Sequence, residues 1–234
     1  MGFLSIYLSH FYRGGCLTLL TGWYSYVSSQ ITSAPLPRWT HLARRRLQTW
    51  PSALTNTNTL IAAPLPSWLV SPIVNPRFDV LNIFRDAPHG APNHVLVNEY
   101  CPGQGIMPHE DGPAYYPLVA TVSLGAPIVL DLYDKPTSDT TDAQSRRPSH
   151  RILQEPRSLL ITTDKIYTDF LHGIAETDRD EDLGASSICN WDLLREPKRY
   201  ECGWSHRETR VSLTYRDVLK VAKLGSTMKF LSKR

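Results

Sequence analysis

The chain predicts a mainly β protein, an antiparallel sandwich or barrel. Three observations carry that prediction. From residue 93 onward the sequence falls into short runs rich in β-branched residues: HVLVNEY, LVATVSLG, PIVLDLY, RSLLITT and TRVSLTYR. The runs are bounded by Gly, Pro and Asp, as strands of an antiparallel sheet are. Two polar stretches, 134–150 and most of 176–209, have the composition of loops and interrupt the pattern.

Residues 1–78 have a different texture. They are rich in Pro, Ser and Thr, with scattered tryptophans at Trp23, Trp39, Trp50 and Trp68. This predicts a few short elements packed on a core rather than a domain of their own. Their charge is one-sided, because the first acidic residue is Asp79 and six arginines (Arg13, Arg38, Arg44, Arg45, Arg46, Arg77) precede it without a lysine. Residues 1–78 therefore carry +6, while the other 19 of the 25 Lys and Arg stand against 22 Asp and Glu, giving the whole chain +3. Residues 1–34 read as a poorly defined basic extension. The readings open for it are a solvated strip, a mitochondrial transit peptide, a basic face for a polyanion, or a misplaced start of the reading frame. Residues 35–91 are expected to pack on the core and to offer a substrate lid, and residues 221–234 to form a basic C-terminal tail.

Several classes are disfavoured at once. No apolar run approaches the ~20 residues of a membrane span, and Leu17–Val27 is broken by Gly22, Ser25 and threonines without a lysine-rich start. A soluble monomer is expected, cytoplasmic or nuclear, with the mitochondrion as the alternative. Four cysteines (Cys16, Cys101, Cys189, Cys202) show no C-x-x-C spacing, which suits reduced thiols. Cys189, Cys202 and His206 supply at most part of a zinc set, lacking a fourth ligand. There is no Gly-rich phosphate loop, nucleophile elbow or H-E-x-x-H helix.

The chemistry gathers in GIMPHEDGPAYYP, residues 105–117. In an extended chain His109 and Asp111 point the same way and Glu110 points away. FLHGI offers His172 as a third ligand, and two histidines with one carboxylate form the facial triad of non-haem Fe(II) oxygenases. In RVSLTYR, Arg210, Ser212, Thr214 and Arg216 share parity. Two guanidiniums facing into a barrel require an anion, and their fork suits a carboxylate. Asn98 and Tyr100, also of like parity, add neutral donors. His89 and His94 lack a carboxylate at ligand spacing and are expected to cap or lie at the surface. Trp39, Trp50, Tyr115 and Tyr116 are candidates for an aromatic lid wall, with core packing as the alternative, and RRRLQTW for contact with phosphates and a base.

PNHVLVNEYCPGQGIMPHEDGPAYYP, then FLHGI, then TRVSLTYR resemble the AlkB family of Fe(II)/2-oxoglutarate-dependent dioxygenases, in particular its sixth homologue subfamily. The similarity spans roughly residues 35–220. It implies a double-stranded β-helix (jelly roll) core over residues 92–220 with peripheral helices. It further implies Fe(II) held by His109, Asp111 and His172, with 2-oxoglutarate and O2 as co-substrates. Arg210, helped by Tyr100, would meet the distal carboxylate of 2-oxoglutarate, and Asn98 and Arg216 would lie near the metal-proximal end. Ser212 stands where many AlkB proteins carry Asn. The implied reaction decarboxylates 2-oxoglutarate to succinate and hydroxylates a substrate C–H, releasing formaldehyde from an N-methyl group. The substrate would be a nucleic acid, RNA or DNA, or a protein. The alternative is a weakly active or non-catalytic module that binds the same partners.

Overall fold

In a computed structural model, residues 7–10, 27, 29–31, 39–71, 74–136 and 147–223 are described. The reading of residues 1–34 lies largely outside them, as do the middle of the 134–150 stretch and residues 224–234.

Two antiparallel sheets face each other. The larger has the order β1 (Tyr7–His10), β10 (Ser158–Thr163), β7 (Leu118–Gly125), β14 (Arg210–Arg216), β5 (His94–Tyr100), β3 (Arg45–Trp50), β2 (Thr40–Leu42). The smaller has the order β6 (Ile106–His109), β11 (Phe170–Ile174), β8 (Ile128–Asp134), β9 (His150–Gln154). This is the arrangement of a jelly roll, in which two sheets close over one interior. The helices are few and peripheral: α1 (Ser67–Val70), α2 (Val74–Leu81) and α3 (Asp164–Asp169). Two short pairs complete the strands, β12 (Arg179–Asp180) with β13 (Ser205–His206), and β4 (Thr59–Ile61) in parallel with β15 (Lys220–Ala222).

Alternation along the strands sorts side chains into three apolar layers. Val95, Val97, Val122, Leu213 and Tyr215 turn outward from the large sheet and pack on Trp68, Leu69 and Phe78. Between the sheets, Tyr100 and Leu160 meet Ile128, Leu130, Leu132 and Ile174. Outside the small sheet, Val129 and Leu153 pack on Leu183, Ile188 and Tyr200. The loop-like stretch 176–209 therefore has a structural task, covering the outer face of the small sheet. Each such fully buried side chain is worth roughly 1.5–3 kcal/mol, so both sheets are held from both sides. A buried ion pair fastens this cover: Arg207 Nη2 and Nε donate to Asp180 at 2.6 and 3.0 Å.

The runs HVLVNEY and LVATVSLG become β5 and β7 with the same bounds. Several strands lie where the sequence suggested none, among them β3, inside the basic segment, β9, which begins at the end of the 134–150 stretch, and the short β12 and β13 within 176–209.

Candidate metal centre and anion pocket

β6 and β11 pair antiparallel with His109 directly opposite His172, which brings their rings to 4.3 Å between centroids. Asp111 follows β6, and one ligand atom from each of His109, Asp111 and His172 lies within 4.8 Å of the others. Glycines make this approach possible. A Cβ on Gly105 would collide with the Ile174 carbonyl, and one on Gly173 would sit 3.1 Å from the Ile106 carbonyl.

The protonation states suit ligation. Burial, with the nearby His109 second, pushes the His172 imidazole down to about 4, so it is neutral with a lone pair free. His109 Nδ1 lies 2.9 Å from the Met107 carbonyl; an acceptor there requires Nδ1 to carry the proton, leaving the Nε2 lone pair available. Arg216 Nη2 donates to Asp111 Oδ1 at 2.6 Å, with both side chains buried. That contact fixes one carboxylate oxygen and leaves the other. The His/Asp/His donor set, clustered at this spacing, fits a divalent metal with open coordination positions.

A cavity of about 280 Å³ runs inward from this cluster between the sheets. Asn98, Tyr100, Arg210, Ser212, Thr214 and Arg216 all line it, as their parity predicted. Arg210 is the key to its chemistry. It is 2% exposed, its Nη2 donates to Ser123 Oγ at 2.9 Å and Gln154 Oε1 at 3.0 Å, and its Nε has no partner. Burial lowers its guanidinium to about 10, and among the described residues it forms no ion pair. A buried cation held by neutral groups fits a ligand anion. Arg216 differs, because Asp111 already neutralises it.

Gln154 and Ser123 escaped the sequence reading. Gln154 sits on β9, hidden by the polar stretch before it. Ser123 faces inward from β7, where it accepts from Arg210 and donates to Gln154 Oε1 at 2.9 Å. Arg45 and Tyr167 also line the cavity, and the alternation of RRLQTW could have pointed to Arg45 had β3 been recognised.

Other expectations are corrected. His94 is no surface residue: it is 1% exposed, opposite Arg216 on β5. Half-exposed His89 does hold a turn, its Nδ1 2.6 Å from the buried Asp217 carboxylate. Of the lid candidates only Tyr115 lines the cavity, with Arg216 5.0 Å over its ring; Trp39, Trp50 and Tyr116 pack against the outer layer of the large sheet. Cys189, Cys202 and His206 do not gather. Their thiols bond to the Arg151 and Trp204 carbonyls, and His109, Asp111 and His172 form the one metal-competent cluster among the described residues. No described helix is long and apolar enough to cross a membrane.

Comparison with known proteins agrees with this geometry. A model of the 2OG-Fe(II) oxygenase superfamily matches residues 17–216. A Danio rerio protein named "Probable RNA/DNA demethylase ALKBH6" is 38% identical over 199 residues, which are 84% of this chain and 80% of that protein. "Uncharacterized protein L905" of Acanthamoeba polyphaga mimivirus is 31% identical over 131 residues, 55% of this chain and 50% of its own length. Among solved structures, that of OsALKBH1 superposes with a TM-score of 0.54 over 91% of this chain and 97% of its own, at 15% identity. That likeness is one of fold.

Proposed function

Because the chain belongs to the 2OG-Fe(II) oxygenase superfamily, a family of dioxygenases that take Fe(II), 2-oxoglutarate and O2, we propose that it oxidatively demethylates nucleic acid. In this reading His109, Asp111 and His172 hold the metal, and Arg210 receives one carboxylate of 2-oxoglutarate. The observation that carries it is the sharing of one cavity by a His/Asp/His cluster and a buried, unpaired guanidinium. The nucleic-acid part is supported by the printed name of the Danio rerio relative.

When bound, the metal with its two co-substrates supplies the oxidation, in which 2-oxoglutarate and O2 become succinate and CO2 and one oxygen atom is added to the methyl C–H. The chain supplies binding, orientation and dryness. Neutral His172 offers a lone pair without first losing a proton, and the Met107 carbonyl at His109 Nδ1 turns Nε2 toward the metal position. Arg216 keeps Asp111 aimed. Gln154 and Ser123 hold Arg210 in place before any ligand arrives, so little side-chain ordering remains for binding. Ile106, Leu130, Leu132 and Ile174 form the apolar wall, which strengthens each charge interaction inside it.

The test is product analysis on a panel of N-methylated single-stranded RNA, DNA and peptides, with Fe(II) present and chelated. Formaldehyde equal in amount to succinate is expected from at least one oligonucleotide and only with Fe(II). Formaldehyde from peptides alone would replace the nucleic-acid reading with a protein one. His109→Ala or His172→Ala should abolish tight Fe(II) binding; unchanged affinity in either would remove that residue from the metal site.

A further inference from the structure

Three consecutive arginines, Arg44, which precedes β3, and Arg45 and Arg46, which open it, are not equivalent. Arg44 Nη1 lies 3.0 Å from Glu176 Oε2. Arg46 clamps the Glu99 carboxylate with Nε at 2.6 Å and Nη2 at 2.9 Å, and its guanidinium stacks 4.3 Å above the Trp39 ring. Arg46 is therefore committed to a partner within the protein, and Arg44 faces a carboxylate at the surface. Strand alternation turns Arg45 to the opposite face from Arg46. There its Nε donates to Asn98 Oδ1 at 3.3 Å and its side chain lines the cavity. Among the described residues no carboxylate reaches it.

A charge count of the cavity gives this position its meaning. The ionised residues lining it are Arg45, Arg210, Arg216 and Asp111, a net of +2. A divalent metal and the 2-oxoglutarate dianion cancel each other, so the loaded cavity retains that excess. An uncompensated positive excess in a partly desolvated site calls for one more anion. A nucleobase entering the cavity is neutral, and the anion that necessarily accompanies it is the phosphodiester of its own nucleotide.

We infer that Arg45 is a substrate-positioning residue that receives the phosphodiester flanking the target nucleotide of a single-stranded nucleic acid. The inference rests on the nucleic-acid reading above and adds a residue and a ligand group to it. Asn98, which accepts from Arg45 Nε, orients the guanidinium so that its terminal nitrogens are left for the phosphate.

The experiment is an anisotropy titration of anaerobic protein loaded with Fe(II) and 2-oxoglutarate. The probes are a single-stranded oligonucleotide with one N-methylated base, and the same oligonucleotide with uncharged methylphosphonate at the linkages flanking that base. Arg45→Gln should weaken binding of the charged probe about tenfold, the size of one charge-assisted contact. The dependence of log affinity on log salt should fall by about one unit. Methylphosphonate should cost the wild type a similar factor and the variant little, while Arg45→Lys, which keeps the charge, should bind within about threefold of wild type. Equal binding of the charged probe by wild type and Arg45→Gln overturns the inference. So does additivity of the two changes, or weakening of 2-oxoglutarate binding with the oligonucleotide affinity intact, which would assign Arg45 to the co-substrate. A wild type that binds neither probe retires the nucleic-acid reading itself, and this inference with it.

Discussion

At the scale of single residues, the site is built from ionisable groups whose partners differ. Arg216 has Asp111, whereas Arg210 has only neutral neighbours until a ligand arrives. Arg210→Ala should therefore weaken 2-oxoglutarate binding by about 2–5 kcal/mol, as for one partner of a desolvated charge pair, measured by calorimetry on anaerobic, metal-loaded protein. His94 lies outside the ligand set and shows chiefly what burial does. Burial first, and the Arg216 charge second, push its imidazole down to about 4, against a small opposing pull from the Ser52 backbone. Its folded value thus lies below its unfolded one, so the stability tied to neutral His94 is fully present above pH ~6.5 and lost as pH falls toward about 4. The loss amounts to roughly 3 kcal/mol. In metal-free protein His172, also lowered to about 4, adds a like amount. His94→Phe should consequently reduce the acid-side slope of stability against pH in urea titrations, and an unaltered slope would show that burial does not lower His94. Sequence alone could not show this, because the histidine's burial depends on β14 and on Tyr115, whose ring centroid lies 6.0 Å from its own.

At the scale of elements, the metal cluster depends on how closely β6 and β11 can run. Gly105→Ala places a methyl group against the Ile174 carbonyl on β11, and the backbone must give way. A cost of roughly 2–4 kcal/mol is expected, with weaker Fe(II) binding in the same variant because β6 ends in His109. Gly90→Ala is the comparison: its φ of +66° is left-handed, but nothing lies within 4 Å of the added Cβ, so only about 1–2 kcal/mol of conformational strain applies. Thermal melts and Fe(II) titrations of both variants decide the matter, and intact metal affinity in Gly105→Ala would mean the strands tolerate separation. The same elements show which parts of the fold were legible. β14 carries an unbroken alternation of apolar outward and polar inward residues, and β5 and β7 are short β-branched runs bounded by turn residues, so all three stand out. β3 did not, since RRLQTW reads as a basic strip. Its Arg46 is neutralised by Glu99, 53 residues later, a pairing that no local window contains. β9 is legible only once its partner β8 is known, being five residues at the end of a polar stretch.

At the scale of the whole molecule, three apolar layers hold two sheets around an interior that is charged at its centre. Parity made two pairs legible, His109 with Asp111 and Arg210 with Arg216, and the resemblance to a known family added His172 from another strand. Gln154, Ser123 and Arg45 were not legible, because their roles come from groups contributed by other strands. The charged interior also links ligand to stability. With 2-oxoglutarate at about a hundredfold its Kd, the metal-loaded protein should gain about 2.7 kcal/mol, a rise in Tm of roughly 5–10 °C for a domain of this size. In Arg210→Met that rise should vanish, while the ligand-free variant melts at or above the wild-type temperature, since an unpaired buried cation has been replaced by an apolar chain of similar length. A ligand-free variant well below wild type would instead make Arg210 a structural cation.

The contact between Arg216 and Asp111 constrains how such a site can be lost. Replacing Asp111 alone strands a guanidinium in the interior, and replacing Arg216 alone strands a carboxylate; either costs about 3–5 kcal/mol, enough to threaten folding in a marginally stable domain. The histidines carry no such penalty, since neither forms an ion pair with a described residue. A lineage that abandoned the chemistry would thus be expected to shed His109 or His172 first and to keep the ion pair as a fossil of the metal site.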